Sequence, residues 1–449
     1  FWLYAALAAV VLTIGRQRER NPLALFFILL FLIPPASLQI PGLGLINYLF
    51  TLDHVRLLTL LILLPAFFML RKQAGTLPFG RTWPDKLLTL HIVLSALLHL
   101  RETTLTDTLR QMLYLFTDVF LPYYVASRAL KQLNEFKDAM LAFALAAMVL
   151  ALIGIFEYSR HWLLYSSLID VMGLNWGMSN YLGRGGSLRA SASTGQAIVL
   201  GYVISVAIGF YLFLRAGVRS RLQQRLGALL LVAGLFSTLS RGPWVGAALI
   251  ITVFIATGRN AVKRVMLLGL AGVLAIPLLS IIPGGNKLID LLPYIGTIEK
   301  GNITYREDLL TNSIIVIKRN PLLGSIDFLS TPEMQSMIQG EGIIDIVNTY
   351  LIVALKSGLI GLALFAGFFI AIALGIYKSF RTFQDKDDET LRLGRALLAT
   401  LAGVLLTITT VSSISVIPVV YWSVAGLGVA YIQMVRNLRS SRATHPATR

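Results

Sequence analysis

The sequence contains no cysteine among its 449 residues, and only 14% of those residues are charged. The absence of cysteine excludes disulfide bonds, thiolate metal sites and cysteine nucleophiles, and it leaves the redox compartment undetermined. Acidic residues are also scarce, because 22 Asp and Glu oppose 39 Lys and Arg. The chain begins at Phe1 rather than at a methionine, so missing upstream residues and a cleaved targeting segment are both compatible with the sequence.

Hydrophobic residues make up 56% of the chain, and its mean hydropathy is +0.74. Apolar runs that are long enough to cross a bilayer as helices recur throughout the sequence. This pattern predicts an all-α polytopic membrane protein with about 12–14 transmembrane helices. Thirteen candidate spans have their centres near residues 8, 30, 61, 93, 118, 148, 205, 232, 250, 273, 358, 403 and 425.

Positive charge alternates between successive connections of these spans. One set of connections holds 26 of the 39 Lys and Arg residues, the other set holds 12, and Lys356 lies inside a span. Because cytoplasmic loops carry an excess of Lys and Arg, the richer set and the C-terminus are predicted to be cytoplasmic. The net charge of +17 is then mainly a topology signal. It favours anionic lipids as partners and does not favour nucleic acid.

The spans divide the chain into five parts. These are N-terminal transmembrane helices in residues 1–157, an outer loop in 158–194, central transmembrane helices in 195–283, a large and partly helical outer loop in 284–345, and C-terminal transmembrane helices with a cytoplasmic tail in 346–449. Long connections are usually functional, and the two longest, 158–194 and 284–345, are both outer loops. We therefore expect the function of the protein at its outer face.

Arg241 lies in an otherwise uncharged apolar run from residue 233 to residue 257. An arginine at such a place is costly and marks a functional site. The charge alternation puts Arg189 and Arg306 on the same outer side. Three converging guanidinium groups suit a diphosphate, because each can bond phosphate oxygens in pairs and stays charged. The alternative is that each arginine reaches independently to lipid headgroups.

Four segments resemble the successive blocks of the O-antigen ligase and O-antigen polymerase superfamily. They are SASTGQAIVLGYVISVAIGF after Arg189, STLSRG around Arg241, YREDLLTNSIIVIKRNPLLGSIDF from Tyr305, and NTYLIVALKSGLIGLALF from Asn348. The resemblance covers roughly residues 180–375. It implies a GT-C-like membrane fold and a bacterial inner-membrane glycosyltransferase with a periplasmic active site. Such enzymes take a glycan from undecaprenyl diphosphate, and they use no metal, nucleotide sugar or other cofactor.

The resemblance assigns Arg189 and Arg241 to the donor diphosphate, and it matches Arg306 to the arginine that opens the outer-loop helix. Ligases of the superfamily carry a histidine immediately before the Asn-x-x-Leu block, whereas Val347 stands there in this chain. This departure favours a polymerase, which extends one lipid-linked glycan with another. A ligase that moves glycan to lipid A core or to a protein is the alternative within the enzyme class.

A sugar hydroxyl that attacks an anomeric carbon benefits from a nearby general base. Asp345 is the preferred candidate, although a solvated acid complementing the dipole of the following helix explains it equally well. The other outer-face candidates are Glu341, Glu157, His161 and the group Asp53, His54 and His99. The predicted site therefore has Arg189, Arg241 and Asp345 as catalytic residues. Its predicted substrate-binding residues are Arg306, Tyr305, Asn348, Glu157 and His161.

Residues 304–319 place Leu309, Leu310, Ile314 and Ile317 at helical spacing, which predicts an amphipathic helix at the interface that caps the site. A loop helix packed for stability alone is the alternative. Asp118 lies inside a span, where it fits either a functional role or an interhelical pair with Lys or Arg.

The expected partners are an undecaprenyl-diphosphate-linked oligosaccharide donor, a glycan acceptor and anionic lipids, with a chain-length regulator as a further candidate. Two hypotheses of other classes remain. A transporter of lipid-linked oligosaccharide would also need cationic residues, but along a pathway that reaches both faces. A non-catalytic scaffold of a polysaccharide export complex would need none of these arginines.

Overall fold

A computed structural model of the protein describes residues 6, 9–10, 21–33, 35–42, 44, 47–171, 183–184, 186–281, 289–290, 300–339, 342–383, 385 and 388–444. These residues are mostly α-helical, as the apolar runs predict. In chain order the helices are α1 (Pro22–Leu32), α2 (His54–Lys72), α3 (Trp83–Glu102), α4 (Leu105–Leu115), α5 (Leu121–Arg128), α6 (Leu133–Arg160), α7 (Leu164–Val171), α8 (Ala197–Leu214), α9 (Arg221–Ser237), α10 (Arg241–Ala256), α11 (Ala261–Ile281), α12 (Lys300–Arg319), α13 (Pro332–Gln335), α14 (Thr349–Ser379), α15 (Glu389–Thr407) and α16 (Ile417–Thr444).

Two π-helical turns and two short hairpins complete the described secondary structure apart from single 3₁₀ turns. One π turn lies within α2 at Thr59–Leu63, and the other joins α4 to α5 at Phe116–Phe120. The antiparallel hairpins pair β1 (Ser37–Pro41) with β2 (Tyr48–Asp53), and β3 (Gly183–Arg184) with β4 (Ser187–Leu188).

Helices occupy twelve of the thirteen predicted span positions, and the position near residue 8 lies largely outside the described residues. By length and composition, six helices of the described part can cross a membrane: α2, α6, α8, α14, α15 and α16. Helices α1 and α10 are apolar but shorter. The protein is therefore an all-α polytopic membrane protein, as predicted, although fewer than 12 described helices meet the criteria for a full span.

Helix α8 forms the centre of the bundle. It carries no charged residue, and its apolar side chains are buried on all sides against α6, α9, α10 and α15. A helix that is hydrophobic all round belongs in the interior. Gly209 of α8 and Gly246 of α10 leave room for Thr400 and Thr407 of α15, respectively, because a Cβ atom at either glycine would overlap the threonine hydroxyl. Small residues at these crossings allow the helices to approach closely, as in other membrane bundles.

Two charged pairs hold the N-terminal helices together. Asp85 and Arg128 form an ion pair of 2.7 Å in which neither side chain is exposed, and the Tyr123 hydroxyl donates to Asp85 at 2.7 Å. Asp118 pairs with Arg56 at 2.8 Å. The structure thus supplies the partner of Asp118, and it confirms the interhelical pairing that the sequence left as one of two explanations.

Helix α12 has one buried face, as predicted, but the prediction of which residues form that face is partly wrong. Leu309 and Val316 are buried in a small hydrophobic cluster with Phe328, Met334 and Ile346. Leu310 and Ile314 are instead 46% and 41% exposed. Apolar residues occupy both 309–310 and 314–317, and the polar Ser313 is buried, so the spacing alone could not identify the side that packs on α13 and α14.

Candidate functional site

The turn between α9 and α10 carries Arg241 and is tightly held. Arg241 is the first residue of α10 and is half-buried, and its Nη2 donates to the carbonyl of Asp290 at 3.2 Å. The preceding Leu239 has a positive φ of 46°, which is uncommon outside glycine. Gly242 lies against the Thr410 hydroxyl, which a Cβ atom at residue 242 would overlap. The position of Arg241 is therefore fixed by the backbone on both of its sides.

Two further arginines contact this same turn. Arg189 donates from Nη2 to the Ser240 hydroxyl at 3.0 Å and from Nε to the Thr238 carbonyl at 3.4 Å. Arg184, in the β3–β4 hairpin, donates to the Leu239 carbonyl. The turn at residues 238–241, which we call the arginine turn, thus gathers the guanidinium groups of Arg184 and Arg189 next to Arg241. It offers charged N–H donors to an anionic ligand.

Glu157 holds the loop that follows Arg189. Its buried carboxylate accepts the backbone N–H groups of Ser191 and Ala192, both at 2.9 Å, and that of Leu164 at 3.1 Å. Ala192 has a positive φ of 45°, so the loop is in a conformation that needs such support. The prediction that Glu157 binds substrate stays a prediction, although three backbone donors already occupy its carboxylate. These bonds hold the backbone two and three residues after Arg189.

His161 follows the last residue of α6, the helix that carries Glu157. It is exposed and forms the left-handed C-cap of α6, with φ 54°. Its backbone N–H donates to the Glu157 carbonyl. The backbone of His161 thereby ends the helix that carries Glu157, while the imidazole stays accessible.

The connection between α15 and α16 contacts Asp345 and Arg306, and Asp345 in turn contacts Tyr305. Ser412 donates its hydroxyl to Asp345 Oδ1 at 2.6 Å, and Arg306 Nη2 donates to the Thr410 carbonyl at 3.3 Å. The Tyr305 hydroxyl donates to the Asp345 carbonyl at 3.1 Å. Burial, reinforced by the charge of Asp345, raises the pKa of the Tyr305 phenol, so Tyr305 is a hydrogen-bond donor near neutral pH.

Residues 408–413, the hydroxyl-rich connection, join the two halves of the site. Thr410 packs against Gly242 of the arginine turn and accepts the bond from Arg306. Thr349, at the start of α14, donates its hydroxyl to the Val411 carbonyl at 3.0 Å and its N–H to the Ile408 carbonyl at 2.9 Å. The structure therefore brings the three predicted arginines and Asp345 to one region, through a segment that sequence reasoning did not single out.

Asn348, which was predicted to bind substrate, caps helix α14. Its side-chain oxygen accepts the backbone N–H groups of Tyr350 at 2.9 Å and Leu351 at 3.3 Å. A cap of this kind satisfies N–H groups that have no partner within the helix. Val347, at the place where ligases of the superfamily carry histidine, packs half-buried against the hydrophobic cluster under α12. Glu341, another candidate base, lies outside the described residues.

Helix α14 is broken at Gly358, where φ is 64° and ψ is −167°. Residues 321–325, the docking loop, enter the break and supply its backbone partners. Ser325 donates its N–H to the Leu355 carbonyl at 2.9 Å, and Leu359 donates to the Pro321 carbonyl at 2.8 Å. Backbone groups at membrane depth need partners of this kind. The loop after α12 is thereby fixed against the first turns of α14.

Sequence reasoning missed three parts of this region. Arg184 was counted only as an outer charge, although it stands five residues before Arg189. The run of Thr and Ser between residues 407 and 413 was a visible signal of a polar segment between two spans. The pairing of the docking loop with Gly358 had a weaker signal, namely a glycine in each segment. Within the described residues, no three His, Asp or Glu side chains are grouped as metal ligands.

Residues 226–366 match a family model described as O-antigen ligase. The match includes the arginine turn, helix α12, the docking loop and the broken part of α14, whereas Arg189 precedes it and residues 408–413 follow it. No curated protein matches the chain. The resemblance expected from the sequence is confirmed, and the match supports placing this chain in the O-antigen ligase and O-antigen polymerase superfamily.

Proposed function

We propose that the protein is a polymerase of lipid-linked polysaccharide repeat units, such as those of O-antigen or exopolysaccharide. It transfers a glycan from undecaprenyl diphosphate to a hydroxyl group of a second glycan at the periplasmic face of the bacterial inner membrane. The observation that carries the proposal is the gathering of Arg184, Arg189 and Arg241 at one turn, joined through Thr410 to Arg306 and the Asp345 segment.

The arginine turn suits the donor diphosphate. Guanidinium groups bond phosphate oxygens in pairs and stay protonated at any working pH. Arg189 and Arg184 are oriented by backbone and hydroxyl acceptors, and Arg241 is anchored at a helix start. Preorganised donors of this kind stabilise the negative charge that develops on a leaving group. In the proposed reaction that group is undecaprenyl diphosphate, which departs with the electron pair of the broken anomeric C–O bond.

Asp345 is the proposed general base. It is half-buried, and the Ser412 hydroxyl holds its Oδ1 at 2.6 Å, which leaves Oδ2 to accept a proton. The acceptor hydroxyl oxygen forms the new bond to the anomeric carbon, and its proton passes to the carboxylate. A single displacement inverts the anomeric configuration. The step balances without a metal or another cofactor, since the arginines supply the positive charge.

The distribution of Lys and Arg supports the outer face as the place of reaction. Of the 39 cationic residues, 26 lie in the connections that we assign to the cytoplasm, as expected from the positive-inside pattern. Arg189, Arg241 and Arg306 belong to the minority on the opposite side. The alternation thus assigns these arginines to the side opposite the cytoplasm, and the proposed donor is bound from the periplasm.

A ligase is the second candidate, and the match to the family model described as O-antigen ligase is compatible with either enzyme. Val347 favours the polymerase, because a side chain without a titratable group stands where a ligase is expected to place its histidine. The two enzymes differ in the acceptor alone. A measurement of which acceptor the protein requires therefore distinguishes the polymerase from the ligase.

The experiment is product formation by the purified full chain in nanodiscs, with an undecaprenyl-diphosphate-linked repeat unit as the sole substrate and with excess EDTA. A ladder of lengthening lipid-linked glycans, lost in Arg241→Ala, is the expected result. Transfer that occurs only after lipid A core or a protein acceptor is added would replace the polymerase with the ligase. Movement of intact substrate across the bilayer without any glycosidic bond formed would identify a transporter.

A further inference from the structure

A polar cavity lies between helices α3, α4 and α14, and none of its lining residues belongs to the arginine turn. Its volume is about 130 Å³. The polar side chains that line it are His91, Ser95, His99, Gln111, Lys356 and Ser357, and the remaining lining residues are aliphatic. Among the described residues no carboxylate lines the cavity, and the ammonium group of Lys356 is the one formal charge in that part of the lining. The cavity is built to receive a hydrogen-bond acceptor or an anion.

Two of these side chains lack protein partners. Lys356 forms no hydrogen bond or ion pair with any described residue, although it lies inside the candidate span Thr349–Thr382. Charged groups at such a position normally pair with another group. His91 Nδ1 is buried and has no hydrogen-bond partner among the described residues. His99 differs, because its Nδ1 donates to the Ser95 carbonyl at 2.8 Å, and Nε2 of the neutral ring is then an acceptor rather than a donor.

The cavity opens to the side of the bundle. Lys356 is exposed, and Leu359 and Ile360, which follow it along α14, are 51% and 41% exposed. Lys356 is eight residues beyond the cap Asn348, which corresponds to about 12 Å along a helix. A ligand that enters here therefore comes from the lipid phase near one membrane boundary, with its polar group at Lys356 and its chains beside the exposed aliphatic residues.

The wall of the cavity is rigid at Lys356 and Ser357. These two residues immediately precede Gly358, where the docking loop holds the broken backbone through Ser325 and Leu359. On the opposite side, Glu102 at the end of α3 accepts the N–H of Ile326 at 2.5 Å and the Ser325 hydroxyl at 3.1 Å. The end of α3 and the break in α14 are thus tied to the same segment, which holds the two helix backbones against each other. Preorganisation of this kind lowers the cost of binding.

We infer that this cavity binds the phosphate group of a membrane lipid, held by Lys356 and His91. A phosphate oxygen accepts charge-assisted hydrogen bonds from an ammonium group, and several acceptor oxygens match the imidazole, hydroxyl and amide donors in the lining. Either a glycerophospholipid or a polyprenyl phosphate carries this chemistry. The site is separate from glycan transfer, so binding there can be measured without any enzymatic product.

The test is the thermal unfolding midpoint of the purified full chain in an uncharged detergent, titrated with dioctanoyl phosphatidic acid or with undecaprenyl phosphate. Dioctanoylglycerol and undecaprenol, which lack the phosphate, serve as matched probes. The phosphorylated lipids raise the midpoint and the matched probes do not. In Lys356→Met, the half-saturating lipid concentration rises by about tenfold or more, in keeping with the loss of one charged hydrogen bond. The lipid that saturates at the lower concentration is the source that the site prefers.

Lys378→Met is the control, because it removes the same charge from an exposed position of the same helix, and its half-saturating concentration stays at that of the parent. His91→Phe, which keeps a ring but removes the buried nitrogen, weakens binding by about threefold or more. It also replaces Lys356→Met as the test if that variant does not fold. Equal half-saturation in the parent and in either cavity variant would overturn the inference, as would an equal loss in Lys378→Met.

Discussion

Arg189 donates from Nη2 to the Ser240 hydroxyl at 3.0 Å, and this bond ties the loop after β4 to the turn that begins α10. The two segments are separated by about fifty residues of chain and one complete helical hairpin. Since Arg241 follows Ser240 directly, the bond holds the Arg189 guanidinium beside the start of α10. The proposed diphosphate site is therefore a property of two loops that hold each other, and a change in either loop affects both arginines.

Arg241→Ala should lower the rate of glycan transfer by about 10² to 10³, the usual cost of removing a preorganised donor to a developing negative charge. Arg241→Lys should recover only a small part of this loss, because the charge survives while the paired donors do not. Initial rates of ladder formation in nanodiscs measure both. Arg264→Ala, at an exposed position on the predicted cytoplasmic side, should retain the parental rate. Parental polymer length and yield in Arg241→Lys would count against direct diphosphate binding.

Glu157→Gln tests the support of Arg189. The amide has one acceptor oxygen for three backbone N–H groups that now bond a carboxylate, and an unsatisfied buried donor costs about 1–3 kcal/mol. We expect a lower unfolding midpoint and a raised KM for the lipid-linked donor. The KM is the decisive quantity, because a purely structural role would lower the folded fraction and leave the KM of the remaining protein unchanged.

Gly358→Ala should detach the docking loop from helix α14. The backbone at Gly358 has φ 64° and ψ −167°, a region that is essentially restricted to glycine. A Cβ atom there would also overlap the backbone of Leu322. Strain of this kind costs about 1–3 kcal/mol before the overlap is counted, so a clear drop in the unfolding midpoint is expected. Gly367→Ala is the matched control, since its Cβ would meet only Leu87 at 3.9 Å; equal midpoints of the two variants would refute this assignment.

The buried pair of Asp85 and Arg128 should be sensitive to the loss of one partner. Neither side chain is exposed, and an uncompensated buried charge costs about 3–5 kcal/mol. Arg128→Leu alone should therefore destabilise the protein strongly, whereas Asp85→Leu combined with Arg128→Leu should be more stable than Arg128→Leu. Unfolding midpoints of the parent, the two single variants and the double variant measure the coupling. Additive effects would show that the pair contributes no interaction energy.

The helical positions and the common region of the predicted arginines followed from the sequence for simple reasons. Long apolar runs specify spanning helices almost without regard to their neighbours, and Arg241 stood out because its surroundings are uncharged. Contacts between segments that are distant in sequence could not be predicted in this way. The break at Gly358 depends on backbone partners from residues 321–325, and no local pattern encodes such a pairing.

Side-chain roles were predictable only where one function fits a residue type. An arginine in an apolar run has few alternatives, whereas a carboxylate such as Glu157 can either bind a ligand or accept backbone N–H groups. In the structure its carboxylate accepts N–H groups from Leu164, which is near in sequence, and from Ser191 and Ala192, which are 34 and 35 residues away and which no local pattern identifies. The packing side of α12 was equally hidden, because Leu309 and Leu310 are chemically identical neighbours and only the position of α13 and α14 distinguishes them.

The predicted orientation in the membrane can be measured with single cysteines, because the chain has none of its own. Ser330, in the large loop after α12, and Gln223, at the start of α9, are both exposed. The alternation of Lys and Arg places the first outside and the second inside. In intact spheroplasts, a membrane-impermeant maleimide should label Ser330→Cys and leave Gln223→Cys unlabelled until the membrane is opened. The reverse pattern would put the arginine turn on the cytoplasmic side, where the proposed periplasmic donor could not reach it.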